Sequence, residues 1–266
     1  TGNDRGWNVC HKSGVENYLL RVEYGRLLIF TKEDIFGWFM SEAAGSLYML
    51  NTCPFTWKVR ALLDHLDLPH EKVKVNPLKI KKSVSFAGDW GKTPVWKMSD
   101  GEVVVDSTPI MKRIDEVYNN GNLWKMEDEV RRDKWMEWAD TKMKDATIPI
   151  LYGSIGSALS TTRSVAKHER FGFFTGRIYA WLGFPIMWGI IAKKRTKKTG
   201  MMPGELWHHL LDEWTEEIGD NSFFGGNTPH IVDLAVFGYM QSIEMHSKAF
   251  RLIETHSEGM SWFNRC

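Results

Sequence analysis

Ser46 to Leu66 reads SLYMLNTCPFTWKVRALLDHL, and this stretch decides the fold. Leu47-Tyr48-Met49-Leu50 is a short apolar run closed by the polar Asn51-Thr52, the pattern of a buried strand. Cys53-Pro54 then opens a helix, because a proline suits the first helical turn, where its missing N–H costs nothing. Val59, Leu62, Leu63 and Leu66 recur at helical spacing, and Pro69 stops the helix. A cysteine therefore stands where a strand hands the chain to a helix N-terminus.

Downstream, Glu71-Lys-Val-Lys-Val75 alternates like a half-buried strand. Asn76-Pro77 begins a basic, helix-like connection to about Phe86. Val95–Met98 and Glu102–Val105 read as two strands around the turn signal Ser99-Asp100-Gly101. A helix is expected from Ser107 to Tyr118. The order β-α-β-α-β-β-α over residues 46–118 resembles a thioredoxin-like α/β unit, whose first two parallel strands need a right-handed crossover. Residues 119–124 read as a linker. Beyond it, 126–144, 204–218 and 229–254 are helical by period, so 125–266 is expected to be an all-α domain. Residues 1–45 form an extension. Its 17–30 stretch reads as strand or short helix with a turn near Gly25, and Thr31 caps an apolar helix through Ile35–Met40 that needs a partner surface.

Hydrophobic residues make up 43% and charged residues 25% of the 266, which excludes a disordered chain. A net charge of +1 gives no global electrostatic case for nucleic acid. The three cysteines, Cys10, Cys53 and Cys266, are far apart, odd in number and without metal spacing. They support neither a disulfide framework nor a metal site, and suggest a reducing compartment. The chain begins at Thr1, so either a targeting segment has been removed or the N-terminus is incomplete.

The candidate site rests on three pieces in order. At a helix N-terminus, unpaired amides and the helix dipole favour thiolate, so Cys53 is expected to be a nucleophile with a lowered pKa; the plainer reading is a buried structural cysteine. Thr56 stands where a second cysteine would complete C-x-x-C, which points to one-thiol chemistry. Thr93-Pro94 precedes a strand. A cis bond there would turn the Thr93 backbone toward an extended peptide, against the commoner trans proline at a strand start. Asp106-Ser107 opens the next helix, where Ser107 and the following amides suit a carboxylate and Asp106 an ammonium, against a plain helix cap.

These residues resemble a family. A thioredoxin-like unit with CPF, K-T-P-V and D-S, followed by helices, is similar to the glutathione transferases, and most of all to the membrane-associated prostaglandin E synthase type 2 branch. TCPFTWKVRALLDHLDLPHEKVKVNP at 52–77 and FFGGNTPHIVDLAVFGYM at 223–240 carry the resemblance, which spans about 46–265 and is thin between 145 and 200. It implies a glutathione site with Cys53 as the thiol, Phe55 beside it, Thr93 and Pro94 along the tripeptide, and Asp106 and Ser107 at the γ-glutamyl end. It also implies a substrate cleft between domains, a small thiol-reactive substrate, a capacity to form homodimers, and a mitochondrial, membrane-associated setting. Haem is bound by some members, but no residue here argues for it. Asp233 is read as structural, supporting a helix start. The chain departs from the family at Leu50, where a tyrosine is expected, at Thr56, where a second cysteine is expected, and at His230, where a capping asparagine is expected.

Ile178–Ala192 is fifteen residues without a charge, followed by the basic run Lys193–Lys198. A core helix comes first, an interfacial contact with anionic lipid second and a membrane span third, since a span needs about 20 apolar residues. Two functional readings stand side by side. One is a glutathione-binding single-thiol protein with isomerase or thiol-transferase chemistry. The other is a catalytically inactive accessory subunit, on a glutathione-transferase fold, of a mitochondrial membrane protein complex.

Overall fold

The computed structural model describes residues 8–10, 18–23, 26–30, 43–77, 79–169, 194, 196–197 and 200–266. Strands β1 (Asn8–Cys10), β2 (Tyr18–Glu23) and β3 (Arg26–Phe30) form an antiparallel sheet, with Leu20 opposite Ile29. The strand-or-helix alternative for 17–30 is thus resolved as a pair of strands. The helix expected over 31–40 and the apolar 178–192 stretch lie outside the described residues.

The second sheet is the thioredoxin-like one. β4 (Gly45–Met49) leads through Cys53 into α1 (Pro54–His65) and back to β5 (Glu71–Lys74), parallel to β4. The basic connection is helical only at α2 (Ile80–Ser83) before a tight turn at Ser85–Ala87. β6 (Val95–Met98) and β7 (Val103–Val105) follow as a hairpin, then α3 (Ser107–Tyr118). The sheet order is β5-β4-β6-β7, with β6 antiparallel to β4. Gly101 at φ +95° makes the hairpin turn, and Asp100 accepts the Glu102 amide at 2.9 Å. Leu47, Met49, Val59, Leu62, Leu63, Trp96, Ile110 and Ile114 close the core between the sheet and the helices. The alternation of 71–74 leaves β5 mostly exposed, as an edge strand is.

After α3 the chain turns through 119–124 under the control of one carboxylate. Asp115, buried, accepts from Asn119 Nδ2, Leu123 N and Trp124 N. The rest of the described chain is helical. α4 (Glu129–Trp138), capped by Asp128, runs through a π-helical turn (Ala139–Met143) into α5 (Lys144–Tyr152). α6 (Ile155–His168), α7 (Pro203–Ile218), α8 (Ile231–Glu244), α9 (Ser247–Phe250) and α10 (Ser257–Phe263) complete it. The single helix expected over 229–254 is therefore broken: α8 ends at Glu244 and the His246 amide turns back to Ile243 O at 2.8 Å. Trp135, Trp138, Trp214, Trp262 and Phe224 stack at the centre of the helical part, with Trp135 and Trp138 centroids 4.8 Å apart. They are core anchors.

α8 lies directly on α1. A Cβ built on Gly238 would meet Lys58 Cα and N at 2.6 Å, so glycine is what lets the two backbones touch. That contact sets the helical part against the sheet unit at the helix that begins with Cys53.

Candidate functional site

Cys53 is the N-cap of α1, with extended backbone and no side-chain cap bond, so its sulfur is left for other partners. Its thiol donates to Thr93 O at 3.8 Å. The Thr93-Pro94 bond is cis. The Thr56 and Trp57 amides donate to Cys53 O at 3.0 and 3.2 Å, closing the first turn.

Asp106 takes φ +69°, which few residues other than glycine adopt, and its side chain accepts the Ser107 amide at 2.7 Å. That caps α3 and aims its first turn at the same space as Cys53. Cys53, Phe55, Thr93, Asp106 and Ser107 all line one cleft of about 530 Å³. The walls also carry Trp90, Lys92, Asp140 and Lys144. Five of the residues singled out from the sequence therefore come together, while Pro94 is buried and does not line the cleft. Asp233 lies elsewhere. It is fully buried at the start of α8, where it accepts from Phe224 N, His230 N and Trp262 Nε1 at 3.0, 2.8 and 3.1 Å. Three donors fix two loops and a core tryptophan to one carboxylate. His230 still caps the helix, its Nδ1 accepting the Val232 amide at 3.3 Å.

The expected low pKa of Cys53 needs correction. Burial pushes the Cys53 thiol up, and this outweighs the Thr56 and Phe55 amides, the Thr56 hydroxyl and the Thr93 contact, which pull it down. A helix N-terminus supplies a favourable dipole, but burial of the half-buried Cys53 outweighs it.

Beneath the cleft lies a network the sequence did not announce. Lys58, fully buried, donates to Thr108 Oγ1 at 2.7 Å and pairs with Asp140 Oδ1. Thr108 Oγ1 donates to Asp140 Oδ2 at 2.6 Å, and the Tyr239 hydroxyl donates to Asp140 Oδ1 at 3.2 Å. Burial lowers the Lys58 pKa while Asp140 holds it up. Burial and the adjacent Asp140 raise that of Tyr239, which keeps its proton as donor. Four elements, α1, α3, the π-helical turn and α8, meet at this one carboxylate. On the other side of Cys53, the Thr52 amide and hydroxyl both donate to Glu169 Oε1, at 2.7 and 2.8 Å.

Residues 47–122 match the family described as glutathione S-transferase, N-terminal domain. The fold is that of a glutathione S-transferase. A glutathione S-transferase from Rhodospirillum rubrum F11 superposes with a TM-score of 0.59 at 17% identity, covering 82% of this chain and 86% of that one. One from Methylobacterium radiotolerans, solved in complex with glutathione sulfonate, gives 0.54 at 16%, covering 83% and 89%. The sequence is also similar to prostaglandin E synthase 2. The Danio rerio protein is 27% identical over 266 residues, which is 83% of this chain and 69% of that protein. The Mus musculus protein is 25% identical over 276 residues, covering 83% and 68%.

Among the described residues no three His, Cys, Asp or Glu side chains cluster as a metal site. None of the described helices is long and apolar enough to cross a membrane.

Proposed function

We propose that this chain binds glutathione in the 530 Å³ cleft and uses Cys53 as a single exchanging thiol. The observation that carries this reading is the convergence of Cys53, Thr93 and the Asp106-Ser107 helix start on one cavity from three separate segments of sequence. Glutathione is an extended peptide with two carboxylates, one ammonium and one thiol, and the cleft walls carry matching groups. The α3 amides beginning at Ser107 suit the γ-glutamyl carboxylate. Asp106 suits the ammonium, Lys92 a carboxylate at the other end, and Thr93 main chain the middle of the peptide. The glutathione sulfonate held by the Methylobacterium radiotolerans structure supports a ligand of this class for the fold.

Thiol transfer is favoured over isomerisation, because Leu50 supplies no hydroxyl near Cys53. In the exchange the Cys53 thiolate attacks the glutathione sulfur of a mixed disulfide RS–SG. A Cys53–SG bond forms, the RS–SG bond breaks, and RS⁻ leaves and takes a proton from water. A second glutathione thiolate then attacks Cys53–SG, releasing glutathione disulfide and restoring the Cys53 thiolate. No net redox partner beyond the substrate disulfide and glutathione is needed.

The second reading is a catalytically silent subunit of a mitochondrial membrane assembly, with the thiol domain kept as scaffold. The upward push on the Cys53 thiol favours it. Calorimetry separates the two. Native protein should bind glutathione, and Asp106→Asn or Ser107→Ala should each weaken it about tenfold or more, since a hydrogen bond to a charged group is worth about 1.5–3 kcal/mol. Absence of binding to the native protein at millimolar glutathione removes the transferase reading and leaves the scaffold.

A further inference from the structure

Thr56 sits in the first turn of α1, three residues after Cys53 and on the same face of the helix. Its side chain is fully buried, and its hydroxyl makes no hydrogen bond among the described residues. That is unusual for a helical threonine in this protein. Thr147, Thr162 and Thr215 each return their hydroxyl to the carbonyl four residues back, Met143, Ala158 and Leu211, at 2.8, 2.8 and 2.9 Å. This is the common way a buried threonine satisfies its donor. Thr56 has no such outlet, because the residue four back is Thr52, outside the helix.

Cys53 is the N-cap and Thr56 the third residue of α1, the spacing at which side chains meet across a helix start, and the Thr56 hydroxyl is among the groups that favour the ionised thiol. The neutral thiol already points its own hydrogen at Thr93 O. A thiol sulfur is a weak acceptor, whereas a thiolate is a strong one. A buried donor left without an acceptor is costly. The hydroxyl is therefore an unmade bond that forms when Cys53 loses its proton.

We infer that Thr56 is a positioning residue that donates its hydroxyl to the Cys53 sulfur whenever that sulfur carries negative charge, as attacking thiolate or as leaving group. The position that would hold a second cysteine in a C-x-x-C site thus holds a donor without redox chemistry. The Cys53 thiolate is then held without an internal disulfide to consume it, and a Cys53–SG bond waits for an external thiol. This deepens the proposed single-thiol reading and depends on Cys53 being the working thiol. It does not depend on glutathione being the ligand.

The test is the rate of iodoacetamide labelling of Cys53 in the full chain against pH, read by mass spectrometry of the Cys53 peptide. Thr56→Val keeps the shape and removes the hydroxyl. It should shift the labelling profile to higher pH by about one unit, an approximately tenfold slower rate at pH 7, with the high-pH plateau unchanged. Thr56→Ser should restore the native profile, which a purely structural role for the methyl group would not allow. Thr56→Ala serves if the valine variant does not fold. A Thr56→Val or Thr56→Ala profile superimposed on the native one, a serine variant that behaves like valine, or a native Cys53 that does not label at any pH where the chain is folded would each overturn the inference. If the profile shifts as expected while native protein fails to bind glutathione, the ligand assignment falls and the role of Thr56 stands.

Discussion

Removing the carboxylate of Asp140 should cost far more stability than removing the amine it pairs with. Lys58 is fully buried and Asp140 retains 31% of its side-chain exposure. Asp140→Asn leaves a buried ammonium with only neutral acceptors, the substituted amide oxygen and Thr108 Oγ1, and the Tyr239 ring 5.8 Å away. Breaking a buried pair in this way costs about 3–5 kcal/mol. The amine has an escape, since it can lose its proton. From an ordinary value of 10.5, neutralisation at pH 7 costs at most about 5 kcal/mol, at 1.36 kcal/mol per unit. The same step at pH 9 costs about 2 kcal/mol. The asparagine variant should therefore be destabilised by about 3–4 kcal/mol at pH 7 and by about 2 kcal/mol at pH 9.

Lys58→Met should behave differently. Asp140 then keeps the Thr108 and Tyr239 hydroxyls and its share of water, and the methionine fills the stem's volume. A loss of about 1–2 kcal/mol is expected, close to one charged hydrogen bond. The double variant should cost no more than the Asp140→Asn single, giving a coupling at least equal to the Lys58→Met loss of about 1–2 kcal/mol. Urea denaturation of the four proteins at the two pH values measures this. If Lys58→Met is as costly as Asp140→Asn, or if the Asp140→Asn loss does not shrink at pH 9, the assignment of the buried charge to Lys58 is wrong.

Gly238→Ala should destabilise by about 3 kcal/mol, because the added Cβ meets backbone of α1 at 2.6 Å and overpacking of this kind cannot be relieved by a rotamer change; thermal unfolding would show it, and an unchanged Tm would refute the close contact. His230 is pushed down to about 4, first by burial and then by Arg132, so it contributes stability above its ordinary 6.5 that is lost as pH falls toward 4. Asp233 is pushed up to about 6 by burial and works the other way, losing stability as pH rises from its ordinary 3.8 through 6. His230→Asn should therefore lose less Tm between pH 7 and pH 5 than the native chain does; an equal or larger loss contradicts this. Because burial raises the Cys53 thiol, native Cys53 should alkylate more slowly at pH 7 than free cysteine does, and a faster rate would show that the helix N-terminus outweighs burial.

What the sequence alone determined is local. The apolar run before Cys53, Pro54 in the first helical turn, the Asp100-Gly101 turn and the Asp106-Ser107 helix start each act through neighbouring residues. Their order was enough for the thioredoxin-like unit and for five residues of one cleft. Helix α6 was not read, since IGSALSTTRSVAKH is rich in serine and threonine, whose helicity depends on packing. Asp140 and Tyr239 gave no signal either. Asp140 comes from the π-helical turn, and Tyr239 meets it because α8 lies against α1 at Gly238. Burial likewise set the direction of the Cys53 pKa, which a helix N-terminus by itself would have lowered. A dipole is a property of the segment that carries it. Desolvation is a property of whatever the rest of the chain places on top, and only the tertiary structure decides that.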